Sequence, residues 1–259
     1  MNATMQRLFD LTGRCALITG GSRGLGLQMA QALGEMGAKL ALVARKPDEL
    51  HQAREHLRAL GLHAEVFPAD LLQREAIAPL VRTVQNTMGS IDILVNNAGA
   101  TWGAAAEDYP DEAWDKVMHL NVDAVFFLTR EVAKRSLIPQ RRGSIVNIAS
   151  IAGLRGNPLP MRTIAYNTSK GAVINFTRAL AAEWGQHGIR VNAILPGFFP
   201  SKMTAGLLET MSERVIQHTP LARIGGDDDL MGAAAFFASD ASRHVTGQCL
   251  AVDGGASIV

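Results

Sequence analysis

Cysteine is scarce: Cys15 and Cys249 are the only two among 259 residues. They stand at opposite ends of the chain without paired spacing. That excludes a disulfide framework and a cysteine zinc site, and it sets the expectation of a reducing, cytoplasmic compartment. An excess of one charge is also missing, since the formal net charge is +1. Such a balance provides no electrostatic footprint for nucleic acid or an anionic membrane surface. No apolar run approaches the length of a membrane span. Residues 1–10 carry Arg7 and Asp10 and lack the apolar core of a signal peptide. The histidines are scattered, and His51 and His56 lie five apart, off a common helical face, so no metal site is expected.

Apolar residues are plentiful, at 47% of the chain. The length suits one large α/β domain or two small ones. With no linker, low-complexity tract or solenoid repeat in view, residues 1–259 are expected to form one dinucleotide-binding and catalytic domain. Short β-branched runs predict strands at 15–19, 40–44, 64–67, 91–95, 144–148, 190–195 and 249–252. Most are apolar on both faces, as parallel strands covered by helices on each side must be. Helical patterns lie between them, at 24–36, 48–60, 73–88, 111–120, 122–137, 168–186, 201–217 and 227–239. Pro79 should kink or break the third of these. Repeated βα units imply a Rossmann-like, doubly wound parallel sheet of about seven strands with helices on both faces. The stretches 153–163 and 198–204 lack periodicity and follow strands, which makes them candidate substrate loops.

Thr19-Gly20-Gly21-Ser22-Arg23-Gly24-Leu25-Gly26 follows the first strand and opens the first helix. Glycines allow a tight turn and a close backbone approach to a pyrophosphate, and the helix amino end offers free N–H groups to the anion. The spacing departs from G-x-G-x-x-G, with Met29 where a last small residue would stand.

The T-G-x-x-x-G-x-G spacing resembles the short-chain dehydrogenase/reductase family, and the resemblance continues in order along the chain. Asp70 follows the third strand. Asn96-Asn97-Ala98-Gly99 follows the fourth, Asn121 matches a helix-kink asparagine, and Ser150 follows the fifth strand. Tyr166-Asn167-Thr168-Ser169-Lys170 matches Y-x-x-x-K, and Pro196-Gly197 follows the sixth strand. The resemblance implies an oxidoreductase that moves a hydride between a nicotinamide cofactor and a ketone or secondary alcohol. It implies Asn121, Ser150, Tyr166 and Lys170 as the catalytic set. Gly20, Ser22, Arg23, Gly24, Leu25, Gly26, Arg45, Asp70, Leu71, Asn97, Ala98 and Gly99 would line the cofactor site, with Tyr166, Lys170, Pro196, Gly197, Phe199 and Ser201. Ser150 would bond the substrate oxygen, Lys170 the nicotinamide ribose, and Asn121 a water leading to Lys170. The cofactor carboxamide would meet the backbone near Phe199 and the Ser201 hydroxyl.

Residue chemistry sharpens two of these expectations. Enzymes of this architecture that prefer NAD usually end the second strand on an acid that bonds the ribose 2′-hydroxyl. Here the chain reads Ala44-Arg45-Lys46. A planar cation suits a 2′-phosphate, so Arg45, with Arg23 closing from the glycine turn, favours NADP(H) over NAD(H). Tyr166 and Lys170, four apart, share a helix face. A phenol titrates at about 10, and bringing it to about 7 takes about 4 kcal/mol. One cation at about 4 Å in a dielectric of about 20 supplies that much.

The substrate is less defined. The branch that holds gluconate 5-dehydrogenases and 3-oxoacyl-(acyl-carrier-protein) reductases is the nearest resemblance, carried by 166–170, 181–184 and 198–204. Arg155 and Arg162 suit a sugar-acid carboxylate. Arg141 matches one of two basic positions that dock an acidic carrier protein in the acyl reductases, with His187 at the other. Met161, Phe198, Phe199 and Met203 suggest a partly apolar pocket. A non-catalytic NADP(H)-binding redox sensor is the rival class, and it predicts loss of the tyrosine or lysine. Family members commonly associate through the helices that follow the fourth and fifth strands, which implies a homotetramer or else a dimer. Ala172, Val173, Phe176 and Leu180 form the apolar stripe for that contact, unless they pack internally.

Overall fold

The structure is a computed structural model that describes residues 3–158, 160–202 and 204–259, apart from the side chains of 205, 207 and 208. Alternation along its strands divides the apolar side chains between two large cores, with a smaller third cluster around Ala193 and Leu195 of the sixth strand. Strands β1 (Cys15–Thr19), β2 (Lys39–Ala44), β3 (Ala64–Pro68), β4 (Ile93–Asn96), β5 (Gly143–Ile148), β6 (Ile189–Pro196) and β7 (Cys249–Val252) form one sheet in the order β3-β2-β1-β4-β5-β6-β7. Every pairing is parallel. Ile18, Leu40, Leu42, Ile93 and Val95 join one core, while Leu17, Ala41, Val43 and Leu94 join the other. A fully buried aliphatic side chain stabilises by about 1.5–3 kcal/mol, so a one-residue register slip would empty both cores.

Helices α1 (Ala3–Phe9), α2 (Gly24–Glu35), α3 (Pro47–Ala59), α4 (Arg74–Met88), α5 (Asp111–Met118), α6 (Ala124–Val132), α7 (Ile138–Gln140), α8 (Ile164–Trp184), α9 (Ala205–Gln217) and α10 (Met231–Ala238) complete the chain. The core with Ile18 takes Met29 and Leu33 of α2, Leu50 and Leu57 of α3, and Phe237 of α10. The core with Leu17 takes Val81 and Val84 of α4, Leu128 of α6 and Leu180 of α8. The connection from β3 to β4 passes to the other side of β1, so strand order reverses there and a crevice opens above the strand ends.

Several boundaries differ from expectation. The helix through Pro79 is unbroken. Pro79 sits exposed in the second turn, where the one lost N–H leaves a carbonyl to solvent. The two helices expected at 111–120 and 122–137 are one continuous run, because π turns at His119–Asp123 and Ala133–Leu137 keep helical backbone angles through the joints. Tyr166 lies within α8, which begins four residues before the predicted start. Helix α1 went unforeseen and buries no residue.

Candidate active site

The glycine turn is fixed by backbone sterics. Gly20 and Gly24 hold φ of +63° and +52°, in the left-handed region that favours glycine. A Cβ on Gly26 would stand 2.2 Å from the Gly20 carbonyl oxygen, so only glycine lets α2 start beneath the turn. A Cβ on Gly24 would meet nothing within 4 Å. Arg23, at the N-cap of α2, makes no side-chain capping bond. First-turn N–H groups without a capping side chain, beside an open glycine, fit a pyrophosphate.

Thr19 and Asn97 hold this turn to the end of β4. The Thr19 hydroxyl accepts from the Asn97 and Ala98 N–H groups at 2.9 and 3.0 Å. Asn97 Nδ2 donates to the Thr19 carbonyl at 2.9 Å and to the Gly20 carbonyl at 3.2 Å. Behind it runs a buried polar ladder. Asn96 donates to Thr129 and to Asn147, and Asn147 donates to Thr177, each at 2.9 Å. These bonds tie β4 and β5 to α6 and α8 across the core.

Asn121 is 1% exposed. Its Nδ2 donates to the Ala100 carbonyl and the Ser169 hydroxyl, both at 2.9 Å, and its Oδ1 accepts from the Ala100 N–H at 2.8 Å. It neither caps a helix nor reaches the cleft wall. It clamps the chain after β4 to α8 from behind, and a Cβ on Gly99 would lie 3.2 Å from Asn121 Oδ1 and 3.7 Å from Lys170 Nζ.

Ser150 is extended and buried, and its hydroxyl accepts from the Ala152 N–H at 3.1 Å. Tyr166 keeps part of its surface open to the cleft, yet burial pushes its phenol above the usual value, opposed by a hydrogen bond with Ser150. Lys170 Nζ donates to the Ile148 carbonyl at 2.6 Å and lies 5.6 Å from the Tyr166 ring centroid. Burial brings that ammonium down to about 8. The expected lowering of the Tyr166 phenol by Lys170 is therefore absent here. Desolvation dominates both groups, and the ammonium is engaged with a backbone carbonyl.

Two clefts meet at Ser150 and Tyr166. The first encloses about 410 Å³ and is lined by every residue expected to meet the cofactor, from Gly20 in the turn to Ser201 after β6, together with Ser150. Lys46 and Glu49, which were not expected at the site, also line it, as do Lys202 and Thr204 from the 198–204 stretch expected to meet substrate. Arg45 is exposed at its rim. Phe199 packs its ring into the core, and its carbonyl accepts from Thr204 Oγ1 at 2.5 Å. Ser201 Oγ lies 3.0 Å from the same hydroxyl.

The second cleft encloses about 800 Å³ and shares Ser150, Tyr166, Gly197 and Thr204 with the first. The 153–163 stretch forms much of its wall, held by an unanticipated residue. Asn167 Nδ2 donates to the Ala152 carbonyl at 2.8 Å and the Arg155 carbonyl at 3.1 Å, and Asn167 Oδ1 accepts from Thr163 at 2.9 Å. Met161 and Phe198 line the cleft as expected, while Met203 lies outside the described residues. Arg155, Arg162, Arg214 and His218 line it too, and among the described residues no Asp or Glu does. Arg141 and Arg142 instead precede β5, at the amino ends of the strands opposite the clefts, where Arg141 bonds the Gln186 carbonyl and Arg142 pairs with Asp92 at 2.7 Å.

Among the described residues, no group of three or more His, Cys, Asp or Glu could hold a metal ion, and no helix is long and apolar enough to cross a membrane.

A parallel sheet with a nucleotide crevice at its switch point, beside a Tyr–Lys pair, defines a nicotinamide-dependent oxidoreductase. A family model described as enoyl-(acyl carrier protein) reductase matches residues 20–257. The gluconate 5-dehydrogenase of Gluconobacter oxydans (strain 621H) is 40% identical over 253 residues, covering 97% of both chains. A 3-oxoacyl-[acyl-carrier-protein] reductase of Staphylococcus epidermidis is 35% identical, covering 93% of this chain and 98% of its own. Among solved structures, a gluconate 5-dehydrogenase from Burkholderia cenocepacia J2315, in complex with NADP and tartrate, superposes with a TM-score of 0.93 at 34% identity. It covers 98% of this chain and 99% of its own. The chain belongs to the short-chain dehydrogenase/reductase family and is an NAD(P)-dependent oxidoreductase.

Proposed function

We propose that residues 1–259 act as one catalytic unit that interconverts a ketone and a secondary alcohol, with NADP(H) preferred and an acidic small molecule as substrate. The observation that carries this reading is the shared wall: Ser150 and Tyr166 line both clefts, so one carbonyl can meet a proton donor and a nicotinamide at once. A bound nicotinamide supplies the carbon that gives or takes the hydride. The chain's own residues do the rest. The raised Tyr166 phenol stays protonated near neutral pH and donates its proton to the forming alkoxide in reduction. Ser150 hydrogen-bonds the substrate oxygen. Lys170 spends one N–H on the Ile148 carbonyl and has two left for ribose hydroxyls and the phenol. Asn121 acts as a positioning residue, through Ala100 and Ser169. Arg45 at the rim favours the 2′-phosphate.

Arg162 and His218 on the wall of the second cleft favour a carboxylate-bearing substrate of the gluconate type. An acyl thioester on a carrier protein is the weaker reading. Its docking candidate Arg141 stands a full strand length away, at the amino end of β5. NADPH oxidation with keto-gluconates, 3-oxoacyl thioesters and simple ketones tests this order. Tight NADPH binding without turnover on any carbonyl would return the protein to the sensor class.

Association into a homotetramer, or else a dimer, is proposed for the α6–α8 face. Val173 and Leu180 of the expected stripe are buried in the cores. Phe126 is 42% exposed and stacks edge-on against Phe176, with centroids 6.3 Å apart. A monomer mass in light scattering would defeat this. A cytoplasmic setting suits the two free cysteines.

A further inference from the structure

The strand end that lacks an acid regains one a helical turn later. Glu49, in the first turn of α3, turns back into the cofactor cleft. Arg23 Nη1 donates to both of its carboxylate oxygens, at 2.9 and 3.0 Å, and Lys46 Nζ lies 3.1 Å from Oε1. Its side chain is 27% exposed, against 53% for Arg23 and 63% for Lys46. The carboxylate therefore sits inside the ring of cations that faces the cleft. Hydrogen bonding to Lys46, with help from the charges of Arg23, Lys46 and Lys202 and against a desolvation cost, holds its pKa below the usual carboxylate range. It is ionised near neutral pH.

We propose that Glu49 sets cofactor selectivity: its carboxylate competes with the 2′-phosphate of NADP(H) for Arg23 and Lys46, and accepts the ribose 2′-hydroxyl of NAD(H). The inference rests on the reading of this cleft as the dinucleotide site with Arg45 at the 2′ end.

The physical argument is one of replacement. A 2′-phosphate monoester brings a charge of about −1.5 to −2 at neutral pH. It gains Arg23 only by displacing an anion already bonded to it, and it then faces that anion across a few ångströms. A ribose hydroxyl meets no such opposition, since Glu49 has lone pairs to accept its proton while keeping Arg23. Arg45 draws the protein toward NADP(H), and Glu49 limits how far. The pairing has a purely structural alternative. Asp48 and Glu49 both complement the amino end of α3, a role that affects fold stability without distinguishing one dinucleotide from another.

The test is the Glu49→Gln variant, which keeps shape and removes charge. Dissociation constants for NADPH, NADH, 2′,5′-ADP and AMP are measured by calorimetry at one ionic strength, with thermal melts alongside. Loss of one unit of like charge near a phosphate should tighten NADPH and 2′,5′-ADP about fivefold. NADH and AMP should bind the same or about twofold more weakly, moving the NADPH-to-NADH preference by about five- to tenfold. Equal changes for all four ligands, or a lowered melting temperature with an unmoved preference, would overturn the assignment while leaving the NADP reading intact. Failure of 2′,5′-ADP to bind the wild type better than AMP would instead remove the NADP reading, and this inference with it.

Discussion

The two ends of the cofactor cleft are built on opposite plans. At the tyrosine end, Asn121, Ser150 and Lys170 are buried and bonded to rigid elements. Lys170 is held by the end of β5, Asn121 clamps α8, and the Asn96–Asn147–Thr177 ladder runs beneath. At the glycine end, charged side chains pair with one another in solvent, as Arg23, Lys46 and Glu49 do. Proton transfer needs fixed distances, and burial supplies them at the cost of desolvation. Recognition of a phosphate needs cations that can be drawn from existing partners, and exposed pairs are weak enough for that.

Four substitutions test this contrast. Tyr166→Phe removes the transferable proton and should lower kcat by about 10² to 10⁴, with NADPH affinity preserved. Near-normal turnover would end the acid–base assignment. Lys170→Met comes second. Burial lowers the folded-state pKa of this lysine to about 8, below its unfolded value. The stability lost to burying the charge is thus largest at and below about pH 8, and is recovered as pH rises toward the ordinary lysine range. The variant should lose turnover yet gain up to about 3 kcal/mol of stability at pH 7, less what its bond to Ile148 contributed. That advantage should shrink in alkaline denaturation curves, and a constant one would show that the lysine is not buried as a charge. Asn147→Ala should cost about 2 kcal/mol in unfolding free energy by opening the ladder. It should also depress kcat through α8, and unchanged kinetics would mean the ladder serves folding alone. Arg45→Asp, at the exposed end, should shift the NADP-to-NAD preference about tenfold toward NAD and leave stability within about 0.5 kcal/mol. A melting change without a preference change would reverse the contrast between the two ends.

Much of the glycine turn and sheet was legible in advance. Alternation, β-branched runs and positive-φ glycines act over a few residues, and a pattern of that length is written contiguously. The polar ladder was not legible. Asn96, Asn147 and Thr177 lie far apart in the chain and meet only once β4 and β5 pair and α8 packs. Asn167 was invisible for a related reason: its partners belong to a loop without periodicity. Glu49 was passed over because an acid in a first helical turn is ordinary. The charge argument for Tyr166 had the right magnitude for a close pair. It left out desolvation, which raises the phenol and lowers the ammonium in the folded protein.

The π turn at His119–Asp123 makes chain length, rather than chain composition, the vulnerable property of this helical run. Its wider winding carries one extra residue within an otherwise regular helix. Deleting one of the five would let the helix close to ordinary winding with its downstream phase kept, whereas inserting one more that the turn cannot absorb would rotate everything downstream by about 100°. Leu128 and Val132 would leave the core, and Phe126 would turn away from Phe176. Point changes on the solvent side of this segment should be absorbed, whereas a single-codon insertion should not.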